Sequence, residues 1–520
     1  MFHSNICYSI MKNIKFNIKT FALIFGTSVA LASCNSDYLE TSPTDNVNQE
    51  MALSTADNLK ALVNGMHRNM YVRQNDSQGQ SGQAGIMIMT EAASDDVIWP
   101  STGNNWYISS VRWLDQSNDT SSYTYYPYQF YYSMIRNANL VINSAAKVTG
   151  DQQTIDTAVG EALTYRAFSY FNLVQFYGKR YVAGANNTQD GVPIRLEANE
   201  KPLARASVED VYAQVNKDLQ LALTKLKGVS RYSKSHFDVN IVKGLLARVA
   251  LTQGNYAAAA NYAKDARAGY SLMDNAAYKS GFNSAANIEW MWATIMVPDQ
   301  SDGFGNFSAY MSRNYSSTQI RQAPKVMNSA LFSKFPATDV RTQVVDPSGN
   351  HIPWLSTTNA QGKVVRTNAY SNYSVFPYTS QKYMVKDQGE STADVPYMRA
   401  AEMYLIEAEA LARLGDEAGS KAVFNELQKN RNTAYAGAIT SGVAYITEIL
   451  NTRRLELWGE GFRWFDLKRL GQGMDRTGTN QSDVVINGLS KVTESDFRWQ
   501  WQIPRAEINA SQGLVKQNPQ

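Results

Sequence analysis

The sequence predicts a mostly α-helical protein built from tetratricopeptide-like helix pairs, with an irregular, loop-rich lobe and a few short strands. Three observations carry that prediction. Apolar residues recur at i, i+3, i+4 and i+7, as at Ala401, Tyr404, Leu405, Ala408, Leu411 and Ala412. The helical patterns come in twos, joined by turn residues such as Gly254-Asn255 and Gly415. Two long stretches, 75–128 and 297–395, are rich in Gly, Ser, Asn, Pro and aromatics and lack a sustained helical period.

The chain opens on a leader. From Met11, the better start, run Lys12, Lys15 and Lys19 and then the apolar segment Phe21–Leu31. That is the charged and apolar pattern of a secretory signal, here residues 1–33. As a helix the apolar segment rises only about 16 Å, half of a bilayer core, which disfavours an uncleaved anchor. Leu31-Ala32-Ser33-Cys34 resembles a bacterial lipobox. Small residues before a cysteine suit cleavage in front of a lipid-modified thiol, so Cys34 is the expected acylated N-terminus of the mature chain. Residues 34–48 are polar and turn-forming and read as a lipidated tether.

A helical region is expected over 49–296, interrupted by a loop lobe at 75–128. Its pairs are 57–72 with 129–147, 161–178 with 208–226, and the two halves of 244–266. Ser207 and Asp210 form a capping box for one helix. In the last pair Ala258, Tyr262 and Ala266 are expected to be the packing stripe. Trp290 and Trp292, in the alternating run 288–295, read as a core strand. Residues 297–395 form an irregular lobe with one expected helix over 324–335. A second helical region fills 396–520, and Asn487-Gly488 suggests a hairpin between 484–486 and 489–492. Each pair has an apolar face it cannot bury alone, so the pairs must stack.

Composition excludes several functions. Apolar residues are 44% and charged residues 18%, as in globular chains. Without the leader the charges balance at 46 of each sign, which leaves no basic footprint for nucleic acid. The cysteines, Cys7 and Cys34, make no disulfide framework. The four histidines show no metal-ligand spacing, so no metal and no cofactor is expected. What the chain has in excess is aromatic surface, with 30 tyrosines and 10 tryptophans.

Four segments resemble one known family. RRLELWGEGFRWFDLKRLG (453–471) and the closing WQIPRAEI (501–508) look like the C-terminal signature of the SusD/RagB lipoproteins. Residues 159–178 and 396–411 look like two of its helices, and Asp339 and Arg341 sit where the family tends to place an Asp-x-Arg pair. The resemblance implies a SusD-like helical fold whose irregular lobe, 297–395, is ligand-binding. It further implies a non-catalytic, surface-exposed outer-membrane lipoprotein, held by lipid on Cys34. Such a protein captures an oligosaccharide or polysaccharide and delivers it to a TonB-dependent, SusC-like porin. Residues 75–128 and 297–395 have no confident match to the family.

Two other functions compete on the residues alone: a tetratricopeptide-type envelope scaffold without a sugar site, and a glycoside hydrolase. A hydrolase needs two carboxylates across one bond. Asp95-Asp96 supplies neighbours in sequence, with no identifiable partner, and a sugar-hydroxyl contact suits Asp96 better. The dense charges of 453–471 interleave at i, i+3 and i+4, as ion pairs that lock helices do. The aromatic loops are the stronger lead. Sugar rings stack apolar C–H faces on aromatic rings and present hydroxyls to amides, carboxylates and guanidinium groups. Trp99, Trp106 and Tyr107 with Asp96, Asn104 and Asn105 offer both, and Tyr310, Arg313 and Trp354 extend the set into the second lobe. Trp99 and Trp106 are expected to form an exposed platform.

Overall fold

Helix α1 (Ala56–Asn69) starts at Thr55, whose hydroxyl accepts the Asn58 amide, and ends in His67 and Arg68, the favourable charge order for a helix dipole. The same local chemistry starts the other long helices. Ser121 caps α3 (Ser122–Ser144), Asp151 caps α4 (Gln152–Tyr177), and Ser207 caps α5 (Val208–Lys225). Asp238 and Asn255 cap α6 (Val239–Gln253) and α7 (Tyr256–Ala266). Gly254 closes α6 at φ +73°, a left-handed turn that glycine adopts without penalty. Gly415 does the same at φ +88° for α8 (Ala400–Leu414), which is followed by α9 (Glu417–Arg431) and α10 (Gly442–Glu456). A short α2 (Gly82–Ala92) and α11 (Arg463–Leu470) complete the set.

The computed structural model describes residues 53–198, 201–349, 356–358, 360–362, 364–366 and 372–520, and residues 54–520 form one compact unit. The leader, Cys34, the tether and Trp354 therefore lie outside the described residues. No helix among those described is long and apolar enough to cross a membrane.

The long helices pack in chain order, α3 on α4, α4 on α5, α5 on α6, α6 on α7, α7 on α8 and α8 on α9. This is the stacking that unburied apolar faces demand. Helix α4 is its axis, buried on every side from Ala158 to Tyr177. The expected pairs hold with two changes. Helix α3 pairs chiefly with α4, and α1 lies across both. The packing stripe of α7 is Ala259, Ala260, Ala263 and Ala266, one residue around from the expected face, while Tyr262 stays at the rim and its hydroxyl accepts from Gln220.

Strands are few and short, and β5 (Ser356–Thr358) and β6 (Val364–Arg366) pair only with each other. β2 (Trp290–Ala293) pairs antiparallel with β8 (Pro396–Arg399), and both tryptophans are buried as expected. β1 (Val97–Ile98), β3 (Val326–Met327), β7 (Thr379–Ser380) and β4 (Val345–Asp346) form one sheet in the order β1-β3-β7-β4. That sheet joins the two irregular stretches, which residues 129–296 separate along the chain. It also replaces most of the helix expected over 324–335, of which one turn, Ser329–Phe332, survives. The expected hairpin at Asn487-Gly488 does not form. Asp483–Ile486 is a helical turn capped by left-handed Asn487, and Lys491–Val492 pairs instead with Met474–Asp475.

The signature 453–471 is an internal lock. Arg399 meets Glu289, Glu456 and Glu460; Arg431 meets Glu289 and Glu456; Arg341 meets Asp339 and Glu456; Lys382 meets Glu460. Four cations face four carboxylates with almost no solvent exposure, so the cluster is neutral as a whole. Lys468 donates to the carbonyls of Gln175, Gly178 and Trp499, tying the end of α4 to the C-terminal segment. Trp464 is fully buried against Phe176, Trp499 and Trp501.

Candidate functional site

Three segments meet at one face beside the sheet. Residues 73–80 reach it through the Arg73–Asp302 ion pair at 2.5 Å and the Tyr107 hydroxyl, which donates to the Gly79 carbonyl. Residues 101–107 reach 319–322 through Ser101, whose hydroxyl donates to the Gln322 carbonyl, and through the Asn104 amide, which donates to Gln319. Gly103, Asn105 and Tyr107 all have positive φ, +48°, +64° and +62°. Three left-handed residues in five fold the loop back on itself. A Cβ on Gly103 would lie 3.0 Å from Ala323 and Gln319, so the close approach needs glycine twice over.

The bend separates its side chains. Asn104 and Asn105 point to solvent, Trp106 is half-buried, and Tyr107 is buried. The Trp106 ring stands edge-on to Tyr310, with centroids 6.0 Å apart, and Tyr107 meets Tyr310 at 5.3 Å and 88°. Buried Tyr107 and Tyr310 thus form a base that fixes the half-exposed indole. The Tyr310 hydroxyl has no hydrogen-bond partner among the described residues, and burial raises its pKa. Phe304, beside Tyr315 on the same 302–322 segment, is 63% exposed.

The other expected site residues are placed differently. Trp99 is not on the surface. It is 1% exposed, packed under the Lys325 ammonium at 4.9 Å, so the expected Trp99–Trp106 platform does not form. Asp96 is buried and bonded to Arg454 at 2.6 Å, with Arg463 at 3.5 Å, and cannot meet a sugar hydroxyl. Asp95 pairs with Arg463 at 2.6 Å; burial alone would raise its carboxyl, but that guanidinium and Arg454 hold it at about 2. Arg313 is buried beneath the lobe, with its guanidinium over the Tyr373 ring. Arg73, Asp302 and Gln319 border the Trp106 face without having been expected there, and Phe304 stands exposed two residues after Asp302. The one sequence signal for them was Gly303-Phe304-Gly305, an aromatic between two glycines.

A cleft of about 410 Å³ lies on another side, lined by Tyr125, Tyr132, Arg136, Arg195 and Glu507 among others. Elsewhere the fold brings together two histidines that stand far apart in the sequence: His67 and His236 meet at Glu161.

Stacked helix pairs with an aromatic face carried on their loops define a helical-repeat scaffold with a candidate surface site. Two family models match in this order along the chain, one described as "Starch-binding associating with outer membrane" over residues 37–251 and the SusD family over 355–520. The chain belongs to the SusD/RagB family. It is similar to SusD-like protein P2 of Formosa agariphila, with 23% identity over 94% of this chain and 97% of that one. Among solved structures it resembles a SusD-like carbohydrate-binding protein of Bacteroides vulgatus, with a TM-score of 0.74, 22% identity and coverage of 88% and 97%. It also resembles a laminarin-binding SusD-like protein, with a TM-score of 0.67, 20% identity and coverage of 90% and 99%.

Proposed function

We propose that this protein captures a glycan at the Trp106 face and delivers it, without cleaving it, to a SusC-like TonB-dependent transporter. The observation that carries the reading is the half-exposed Trp106, fixed edge-on by buried Tyr107 and Tyr310 and flanked by exposed Asn104 and Asn105. A rigid ring stacks a sugar face at little entropic cost, and amides beside it can bind the hydroxyl rim. The likeness to the laminarin-binding SusD-like protein supports a glucan as the first ligand to try. Asp95 and Asp96 are consumed in ion pairs with Arg463 and Arg454, which argues against using them as a hydrolytic pair. The leader and Cys34 support attachment to the outer membrane by lipid, facing outwards.

Affinity electrophoresis of the soluble form starting after Cys34, through gels containing laminarin, starch and other glycans, tests the reading. At least one glycan should retard the protein, and none should release reducing sugar. If no glycan in a broad panel retards it, the scaffold reading replaces this one. Reducing-sugar release would establish an enzyme. In cells, Cys34→Ala should leave a folded protein that no longer fractionates with the outer membrane; unchanged fractionation would exclude lipid on Cys34 as the anchor.

A further inference from the structure

Two helices and the segment that leads into a third bring His67, Glu161 and His236 to one point. His67 lies in the last turn of α1, Glu161 one-third of the way along α4, and His236 in the segment that leads into α6. Their exposures are 7%, 3% and 8%. His67 Nε2 is 3.2 Å from Glu161 Oε2, and His236 Nδ1 is 3.0 Å from Glu161 Oε1. The imidazole centroids are 4.0 Å apart, and the candidate ligand atoms of the three residues all lie within 4.8 Å of one another.

We infer that His67, Glu161 and His236 bind one divalent transition-metal ion of the zinc class. Each residue turns one donor atom to a common point, and the ligand set is two imidazole nitrogens and one carboxylate oxygen. Zinc sits at about 2.0–2.2 Å from such atoms, which places neighbouring donors a little over 3 Å apart. The donor type selects zinc or a neighbouring metal over calcium or magnesium, which prefer all-oxygen sets.

The outer nitrogens are the second observation. His67 Nδ1 lies 2.6 Å from the Tyr165 hydroxyl, and His236 Nε2 lies 2.6 Å from the Tyr232 hydroxyl. Metal-bound histidines are held in this way, with the non-ligating nitrogen fixed by a polar partner that sets ring orientation and tautomer. The Phe237 amide donates to Glu161 Oε1 at 2.9 Å, which orients the carboxylate and leaves Oε2 for the ion. Access exists too. His67 and His236 form part of the wall of a cleft of about 400 Å³, lined also by Asn64, Arg68, Tyr71 and Gln300. Arg68, the cation in that wall, donates to the Gln300 side-chain oxygen at 3.1 Å. Water from the cleft can supply a fourth ligand. The bound ion would clip α1 to α4 and to the start of α6, in the N-terminal half of the stack.

The test uses the untagged full chain, stripped with chelator and dialysed against zinc. Metal analysis should find one zinc per chain, calorimetry should give a single site, and zinc but not calcium should raise the melting temperature. His67→Gln and His236→Gln should each weaken zinc binding at least about tenfold, and Tyr165→Phe by a similar factor, the usual cost of losing an outer-shell partner. Cobalt in the unsubstituted protein should give the visible bands of a low-symmetry, four-coordinate site, a readout that survives if a variant fails to fold. Less than stoichiometric zinc in the unsubstituted protein overturns the inference. So does stoichiometric zinc that both histidine variants retain.

Discussion

The segments 95–113 and 453–471 both combine tryptophan with arginine and carboxylates, and the fold uses them in opposite ways. In 453–471 the buried carboxylates meet guanidinium or ammonium groups, and buried Lys468 meets three backbone carbonyls. Glu456 lies among three guanidinium groups, Glu460 joins Arg399 and Lys382, and Trp464 is walled in by Phe176, Trp499 and Trp501. In 95–113 the ends behave likewise, since Asp95, Asp96 and Trp99 are buried and the Trp113 indole donates to the Ala93 carbonyl. The fully exposed residues of the segment are Asn104 and Asn105, held at the surface with half-buried Trp106 by three left-handed residues and an aromatic base. Residue type therefore does not separate a staple from a binding face. What separates them is whether the backbone turns the side chain toward a partner or away from one.

The largest effect should come from breaking the lock. Arg399→Met leaves three cations, Arg341, Lys382 and Arg431, for the four buried carboxylates Glu289, Asp339, Glu456 and Glu460. Removing one partner of a buried ion pair costs ~3–5 kcal/mol, because the charge left behind stays desolvated. Chemical denaturation should show a loss of that size. A loss under ~1 kcal/mol would mean that water reaches the cluster.

Trp464→Ala and Trp99→Ala test whether one tryptophan from each segment is equally structural. Both are within 1% of full burial, so each should cost ~3–5 kcal/mol of stability while affinity per folded molecule stays constant. A Trp99 variant that melts normally and loses glycan binding would return Trp99 to the site.

Glu91 lies where the two segments touch, accepting the Gly461 amide at 2.7 Å. Burial, with Asp96 nearby, pushes its carboxyl up to about 8. A folded-state value above the unfolded one means that the native protein holds the proton more tightly. The associated stability is complete below about pH 4.5 and is lost as pH rises toward 8. Glu91→Gln should therefore stabilise the protein at pH 8–9 relative to the unsubstituted chain, by ~2–4 kcal/mol, and change little near pH 4–5. Melting curves across that range check it; parallel curves would show that Glu91 is ionised throughout.

How much of this was legible depended on the distance between the residues that decide it. The helix pairs were, because period, cap and turn lie within a few residues, as in Ser207 to Asp210 or Gly254 after α6. The lock was legible in kind, since interleaved charges at helical spacing announce pairing. The sheet β1-β3-β7-β4 was not, because strands of two residues have no period and their partners are set by packing. Trp99 read as exposed because Lys325, the cation that covers it, is far along the chain. His67 and His236 had no spacing to betray them, since Glu161 on a third element brings them together. Of the expected platform, the structure keeps Asn104, Asn105 and Trp106 at the surface because three positive-φ residues turn the loop, a feature that only Gly103 foreshadowed.

Trp106→Ala should leave stability nearly unchanged and weaken glycan binding by ~1–3 kcal/mol, the scale of an aromatic contact at the centre of an interface. Calorimetry with the best glycan from the screen, beside the Trp99 variant, makes the contrast direct. Unchanged affinity would move the site to another face, and the cleft lined by Tyr125, Tyr132 and Arg195 is then the next place to test.

The smallest effect should belong to the amides. Asn105 is exposed and in the left-handed region at φ +64°, so replacing it with alanine would strain the loop and confuse two causes. Asn105→Gly removes the amide and keeps the turn, because glycine adopts that backbone freely. One neutral hydrogen bond to a sugar hydroxyl is worth ~0.5–1.5 kcal/mol net, so affinity should fall by about two- to tenfold with no change in melting. A larger loss would mean that glycine has loosened the loop and freed Trp106, and tryptophan fluorescence anisotropy of the free protein would then fall as well. No loss at all would leave Trp106 as a stacking surface that binds sugar faces without reading the hydroxyls beside it.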